Sequence, residues 1–140
     1  MRGLIKAMLM IVVAIGTMAC CHCKKVQRSD NKPLIGTEWQ LVQMDGRGVS
    51  VEADLFTVVF GQENRLSGLG ACNRLTGDYE ATETGALKIG ELASTRMACP
   101  GMDREQAFFK MLTEATHYEI DGPMLMILTN GELKAVFQAR

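Results

Sequence analysis

The chain has 140 residues, and its 15 lysines and arginines are nearly balanced by 16 aspartates and glutamates, for a formal charge of −1. Nucleic-acid binding draws on cations clustered over one face, so this balance argues against nucleic acid as a partner. The length accommodates one domain with a substantial core, and no internal repeat, low-complexity tract or second composition shift divides the body.

Arg2 and Lys6 precede an uncharged apolar run over residues 7–19, which stops at Cys20, Cys21, His22 and Cys23 before a polar stretch over 24–32. A cationic start, a short apolar run and a small residue before the break describe a secretory signal over 1–19. Thr17-Met18-Ala19-Cys20 resembles a bacterial lipobox, so cleavage before Cys20 and a lipid on its sulfur are expected, followed by a lipid-anchored polar tether over 20–33. The apolar run is shorter than the roughly 20 residues of a spanning helix. An uncleaved signal anchor, extended by a snorkelling Lys6, is the alternative. Cys21, His22 and Cys23 lie too close together for the usual zinc spacing and no second donor pair follows, so no metal is expected there. Loss of Arg2 and Lys6 leaves 13 cationic side chains against 16 acidic ones in the mature chain.

From residue 34 onward the periodicity is mostly that of strands. Trp39-Gln40-Leu41-Val42 reads as the first, followed by a turn at Asp45-Gly46-Arg47-Gly48. The run over 55–60, β-branched and aromatic between Asp54 and Gly61, is the strongest strand signal, with Phe56, Val58 and Phe60 on one face. Weaker strands are expected over 65–71, 77–82, 86–89 and 91–97, with glycines in the first that point to bulges or close packing. A helix then interrupts the pattern. Asp103 is suited to cap it, with Gln106 three residues on as in a capping box, and Phe108, Met111, Leu112 and Ala115 form one apolar stripe. The last three strands, over 117–120, 124–128 and 133–138, are joined by Asp121-Gly122-Pro123 and by Asn130-Gly131, the preferred dipeptide of a type I′ hairpin.

These elements predict an α+β domain: a curved, mainly antiparallel β meander or barrel-like sheet, with one long helix inserted before the last three strands. Closure of the sheet, or coverage by the helix, would hide the strand edges that a meander otherwise exposes.

Three stretches carry a family signal: Gly36-Thr37-Glu38-Trp39-Gln40-Leu41; Leu69-Gly70-Ala71-Cys72-Asn73-Arg74-Leu75-Thr76-Gly77-Asp78-Tyr79; and Ser94-Thr95-Arg96-Met97-Ala98-Cys99-Pro100 leading into Glu105-Gln106-Ala107-Phe108. In order and spacing they resemble the META-domain family, which includes the HslJ-like heat-shock lipoproteins of bacteria. The resemblance implies a small mixed domain over 34–140, often behind a lipoprotein signal and associated with heat shock or antibiotic stress. It implies no reaction. Arg96 stands where the family more often has an uncharged residue.

The residues that bear chemistry leave several readings open. Cys72 and Cys99 are the cysteines of the body; in an exported protein a pair that meets will oxidise, and the closed loop would add roughly 3 to 4 kcal/mol. A pair of small buried hydrophobes is the second reading, and thiol redox chemistry the third, without a C-x-x-C motif behind it. Asn73 suits a loop and Arg74 a surface cation; alternatively Asn73, Arg74 and Arg96 converge on an anionic ligand through forked donors. His117 is placed to meet the helix C-terminus. Glu80 with Glu83, and Glu114 with Glu119, read as solvated surface. The sequence holds no G-x-S-x-G, H-E-x-x-H, P-loop or G-x-G-x-x-G motif, so no catalytic residue and no cofactor is expected.

The expected function is that of a non-catalytic lipoprotein of the bacterial cell envelope, on the outer membrane or its periplasmic face. It would be a monomer held to the membrane by its N-terminal lipid and would bind an envelope protein or small ligand. The alternative is a thiol-dependent redox enzyme or sensor using Cys72 and Cys99. A third reading is a hollow barrel around an apolar molecule, unless Phe56, Phe60, Phe108 and Leu112 fill it.

Overall fold

The computed structural model describes residues 30–140 apart from residues 51 and 53. The expected leader over 1–19, the expected lipidation site Cys20, and the cluster Cys21, His22 and Cys23 lie outside the described residues. The described elements in chain order are β1 (Glu38–Met44), β2 (Arg47–Gly48), β3 (Thr57–Phe60), β4 (Arg65–Leu69), β5 (Arg74–Ala81), β6 (Leu87–Ile89), β7 (Ala93–Ser94), α1 (Met102–Thr113), β8 (His117–Asp121), β9 (Met124–Thr129) and β10 (Glu132–Ala139).

The strands pair antiparallel in the order β6-β5-β4-β3-β1-β10-β9-β8, with β2 beside β1 and β7 beside β5. The two ends of this path meet. Ala86 bridges His117, the Leu87 N–H donates to the Thr116 carbonyl at 3.0 Å, and the Tyr118 N–H donates to the Gly85 carbonyl at 2.8 Å, so the sheet is a nearly closed barrel. Register slips at Val42 in β1 and Lys134 in β10 add the local twist that such curvature requires. Asp45-Gly46 and Asn130-Gly131 turn the chain with both residues at positive φ, which is why short polar residues and glycine occupy them.

Alternation along the strands sends Trp39, Leu41, Val58, Phe60, Leu66, Leu75, Leu125, Ile127 and Phe137 inward, none more than 1% exposed. Phe60 meets Tyr79 edge-on at 5.0 Å, and Phe56 meets Phe108 edge-on at 5.4 Å. Phe56, Phe60, Phe108 and Leu112 are at most 3% exposed and fill the interior, so the hollow-barrel reading is corrected: side chains occupy the volume a ligand would need.

Helix α1 lies across one mouth of the barrel and buries Phe108, Met111 and Leu112, whereas Ala115, expected on the same stripe, is buried just past the helix end. Its far end is tied to the last hairpin, where the Thr129 hydroxyl donates to the Glu114 carbonyl at 3.0 Å and the Asn130 N–H donates to Thr116 Oγ1 at 2.8 Å. The opposite mouth is underlain by residues 31–37. Gly122 N–H donates to Asn31 Oδ1 at 2.7 Å, Lys32 N–H to the Gly122 carbonyl at 2.9 Å, Gly36 N–H to the Phe60 carbonyl at 2.8 Å, and the Trp39 indole N–H to the Leu34 carbonyl at 3.2 Å. The chain is therefore fixed to the barrel from Asn31 onward, three residues before residue 34.

Several local expectations need correction. The helix is capped by Gly101, at φ 94°, and not by Asp103; glycine supplies the left-handed turn, and Asp103 falls inside the first turn, where its charge suits the helix dipole. The strand expected over 55–60 starts at Thr57, because Phe56 sits at φ 54° with its carbonyl accepting from the Leu41 N–H and its N–H donating to the Gly70 carbonyl. The strand over 65–71 stops at Leu69, β5 starts at Arg74 opposite it, and the strand over 91–97 shrinks to Ala93–Ser94. His117 opens β8 with its Nδ1 2.9 Å from the Thr116 hydroxyl, while threonine hydroxyls take the helix-end carbonyls.

Candidate functional site

The densest polar arrangement joins the β4–β5 connection, the segment after β7 and the start of α1. Its centre is Glu105, 2% exposed. Glu105 Oε2 accepts the backbone N–H groups of Cys72 and Asn73, each at 3.0 Å, and Oε1 accepts from Asn73 Nδ2 at 2.6 Å. Burial alone would raise this carboxyl, but the donors from Cys72, Asn73 and Ala71 together outweigh it and hold Glu105 below the ordinary glutamate range. The carboxylate is thus ionised and satisfied, in the first turn of a helix whose N-terminus favours negative charge.

Asn73 is the second member, 1% exposed. Its Oδ1 accepts the Thr95 hydroxyl at 2.9 Å and the Met97 N–H at 2.7 Å, and its Nδ2 donates to Glu105 and to the Met97 carbonyl at 2.9 Å. An asparagine side chain offers two donors and two acceptor sites, and here all four are used within the protein. Thr95 continues the chain of bonds by accepting the Arg74 N–H at 3.1 Å. Cys72 and Cys99 are joined as a disulfide with their Cα atoms 6.4 Å apart, so a covalent link spans the same gap as Asn73.

Two glycines make room for this hub. A Cβ at Gly70 would lie 2.5 Å from Glu105 Oε2 and 2.6 Å from its Cγ, and one at Gly101 would touch the Ala71 side chain. Gly70→Ala should therefore push the carboxylate off its donors and cost about 1 to 3 kcal/mol, measured as a shift in the urea midpoint at unchanged slope.

The sequence-expected site residues separate. Asn73 points inward with no free capacity, whereas Arg74 and Arg96 are exposed and neither guanidinium bonds to it. Glu80 and Glu83 are exposed; Glu114 pairs with Lys110 at 3.8 Å across one helical turn, and Glu119 is exposed on β8. Glu105 was not singled out from the sequence, although a signal for it exists. It stands three residues before Phe108 and seven before Leu112, so an acid occupies the apolar stripe itself, and such an acid needs buried donors. Among the described residues no group of three or more histidine, cysteine or acidic side chains could hold a metal ion. An open groove of about 580 Å³ runs between α1 and the β6–β7 segment over Ile89, Gly90, Glu91, Leu92, Phe109 and Thr113.

Comparison with known proteins supports both fold and family. A protein from Burkholderia xenovorans solved by NMR is 27% identical, with a TM-score of 0.60 over 76% of this chain and 83% of its own. A second NMR structure is 23% identical, with a TM-score of 0.58 over 73% and 87%. The crystal structure of a DUF4847 family protein from Bacteroides vulgatus is 14% identical, with a TM-score of 0.56 over 76% and 92%. These last two speak for the fold alone. No curated protein shows significant sequence similarity to the chain. The family profile described as META domain matches residues 32–140, which contain the barrel, the hub and α1, and the chain belongs to the META-domain family.

Proposed function

We propose that this chain is a non-catalytic lipoprotein of the bacterial cell envelope, held at a membrane through Cys20, whose META domain acts by binding an envelope protein or small ligand under stress. The observation that carries this reading is the hub: its carboxylate and amide are spent on one another and on backbone N–H groups, which is the behaviour of a brace and not of a reactive group. The leader and the cysteine after it supply the anchor, and the groove beside α1 is the apolar depression open to a partner.

Intact-mass analysis of membrane-extracted protein tests the anchor. A chain beginning at Cys20 with added acyl mass is expected, and an unmodified full-length chain would sink it. For the binding role, crosslinked pull-downs of the anchored protein should lose specific partners when the folded domain is removed; an unchanged set refutes it. The thiol-enzyme reading requires that Cys72 and Cys99 turn over with mild reductant, and thiol trapping under those conditions separates it from a resistant bridge.

A further inference from the structure

The barrel wall is open beside α1, and the alternation of backbone bonds along β5 locates the opening. In an antiparallel pair, residues that exchange backbone bonds alternate with residues whose N–H and C=O point away from the partner strand. Between β5 and β6 the Gly90 N–H donates to the Asp78 carbonyl at 2.9 Å and the Thr82 N–H to the Ala86 carbonyl at 3.0 Å, with Glu80 opposite Lys88 between them. Leu87 and Ile89 are therefore the residues whose backbone groups face away from β5. Leu87 uses its N–H on the Thr116 carbonyl at 3.0 Å, where the barrel closes. Ile89 has no such partner among the described residues.

The same alternation holds on β7. The Thr95 N–H donates to the Arg74 carbonyl at 3.1 Å and Leu75 lies opposite Ser94, so the Ser94 N–H and C=O also face away from β5, and β7 pairs with no other strand among the described residues. Between Ile89 and Ser94 the chain crosses β5 at Gly77, where a Cβ would lie 2.8 Å from the Leu92 side chain and 3.0 Å from the Glu91 carbonyl oxygen. Ile89 and Ser94 stand opposite Tyr79 and Leu75 of β5, so the open edge is roughly 13 Å long.

Ile89 is 4% exposed, and backbone groups so enclosed ordinarily have partners. It lines the groove of about 580 Å³ whose other wall is Phe109 and Thr113 of α1. Unused backbone groups at strand spacing thus run beside the apolar surface of Leu92 and Phe109, both packed on the core. Glu91 is the one charged residue of the lining, Lys88 and Arg96 are exposed next to the two ends of the edge, and Lys110 and Glu114 on α1 pair with each other. These charges nearly cancel, so the groove selects by shape and backbone bonding.

We infer that the groove is a docking slot for an extended segment of a partner protein, which adds as a strand to the Ile89–Ser94 edge and lays alternate apolar side chains against Leu92 and Phe109. This rests on the binding reading above and chooses a polypeptide over a small ligand. A small apolar molecule would cover Phe109 and leave the Ile89 groups without partners, whereas an extended chain satisfies both.

Selection of random linear peptides displayed on phage against the detergent-extracted full chain supplies the probe. Enriched peptides should carry apolar residues at alternate positions. N-methylation of one alternating set of their peptide bonds should abolish binding and of the other set should leave it, because a strand on an edge turns every second N–H toward that edge. Saturating peptide should slow amide hydrogen exchange at Ile89 and Ser94 by about tenfold or more. Ser94→Pro removes an N–H that the ladder to β5 does not use, and Thr113→Arg fills the groove from the exposed side of α1. Each should weaken peptide binding by about tenfold or more at an unchanged urea midpoint, and Thr113→Arg decides the matter if Ser94→Pro melts early. No enriched peptide, binding indifferent to N-methylation, protection confined to other segments, or a dimer of the chain that protects the same two amides without peptide would overturn the inference. If crosslinked partners are captured equally by the wild type and both variants, the slot fails and the binding reading stands; if none is captured while peptides bind as described, the reverse holds.

Discussion

Replacing Glu105 by alanine is expected to destabilise the domain by about 3 to 5 kcal/mol, because it strands the Cys72 and Asn73 N–H groups and the Asn73 amide in a buried site. Typical domains hold only about 5 to 15 kcal/mol in total, so the variant should melt far below the wild type. Glu105→Gln keeps the shape but turns an amide donor toward existing donors, and an intermediate loss is expected. The pH dependence has a defined sign. The hydrogen bonds hold the folded-state carboxyl below its ordinary value, so its contribution is fully present above the unfolded glutamate pKa of about 4.3 and is lost as the pH falls through the lower folded value. Urea melts from neutral to acidic pH should show this loss in the wild type and its absence in Glu105→Gln. Parallel curves for the two proteins would mean that the carboxylate is not the keystone.

Removing the Cys72–Cys99 link is expected to cost roughly 3 to 4 kcal/mol, the chain-entropy value for a bridge spanning 27 residues. A Cys72→Ala/Cys99→Ala chain and the reduced wild type should fall by the same amount, read as matching shifts in the urea midpoint. Both should still fold, since Glu105 holds the backbone N–H of Cys72, which neither change removes. The disulfide and Glu105 hold the same junction between the β4–β5 connection and the start of α1. Combining their removal should therefore depart from additivity, and a double-mutant cycle measures that coupling. If reductant leaves the wild-type melt unmoved, the cysteines contribute as small buried side chains only.

The particular residues show how far local pattern reaches. Asn130-Gly131 and Asp45-Gly46 were legible as turns because only short polar residues and glycine accept positive φ without strain, and both pairs adopt it. The helix stripe at Phe108, Met111 and Leu112 was legible because a helix on a sheet buries one face, although the helix stops before Ala115. Strand ends were less legible. Phe56 looks like strand from its neighbours, yet its backbone is held at positive φ by bonds to Leu41 and Gly70. Arg74 reads as loop after Asn73, but pairing with Leu69 draws it into β5. Met97 reads as strand, and the Asn73 amide takes its N–H and carbonyl instead.

By itself the sequence determined the class of the fold, the place of the helix, most of the strands and the acidic balance of the body. These follow from residue periodicity, turn chemistry and charge, which act over a few neighbours. The tertiary structure alone decided that Glu105 meets Asn73 across 32 positions and that Ala86 meets His117 to close the barrel. It also decided that the Asn73 side chain spends its donors and acceptors on Glu105, Thr95 and Met97. Those pairings come from packing a curved sheet around one core, where a residue's partner is set by the shape of the whole and not by its place in the chain.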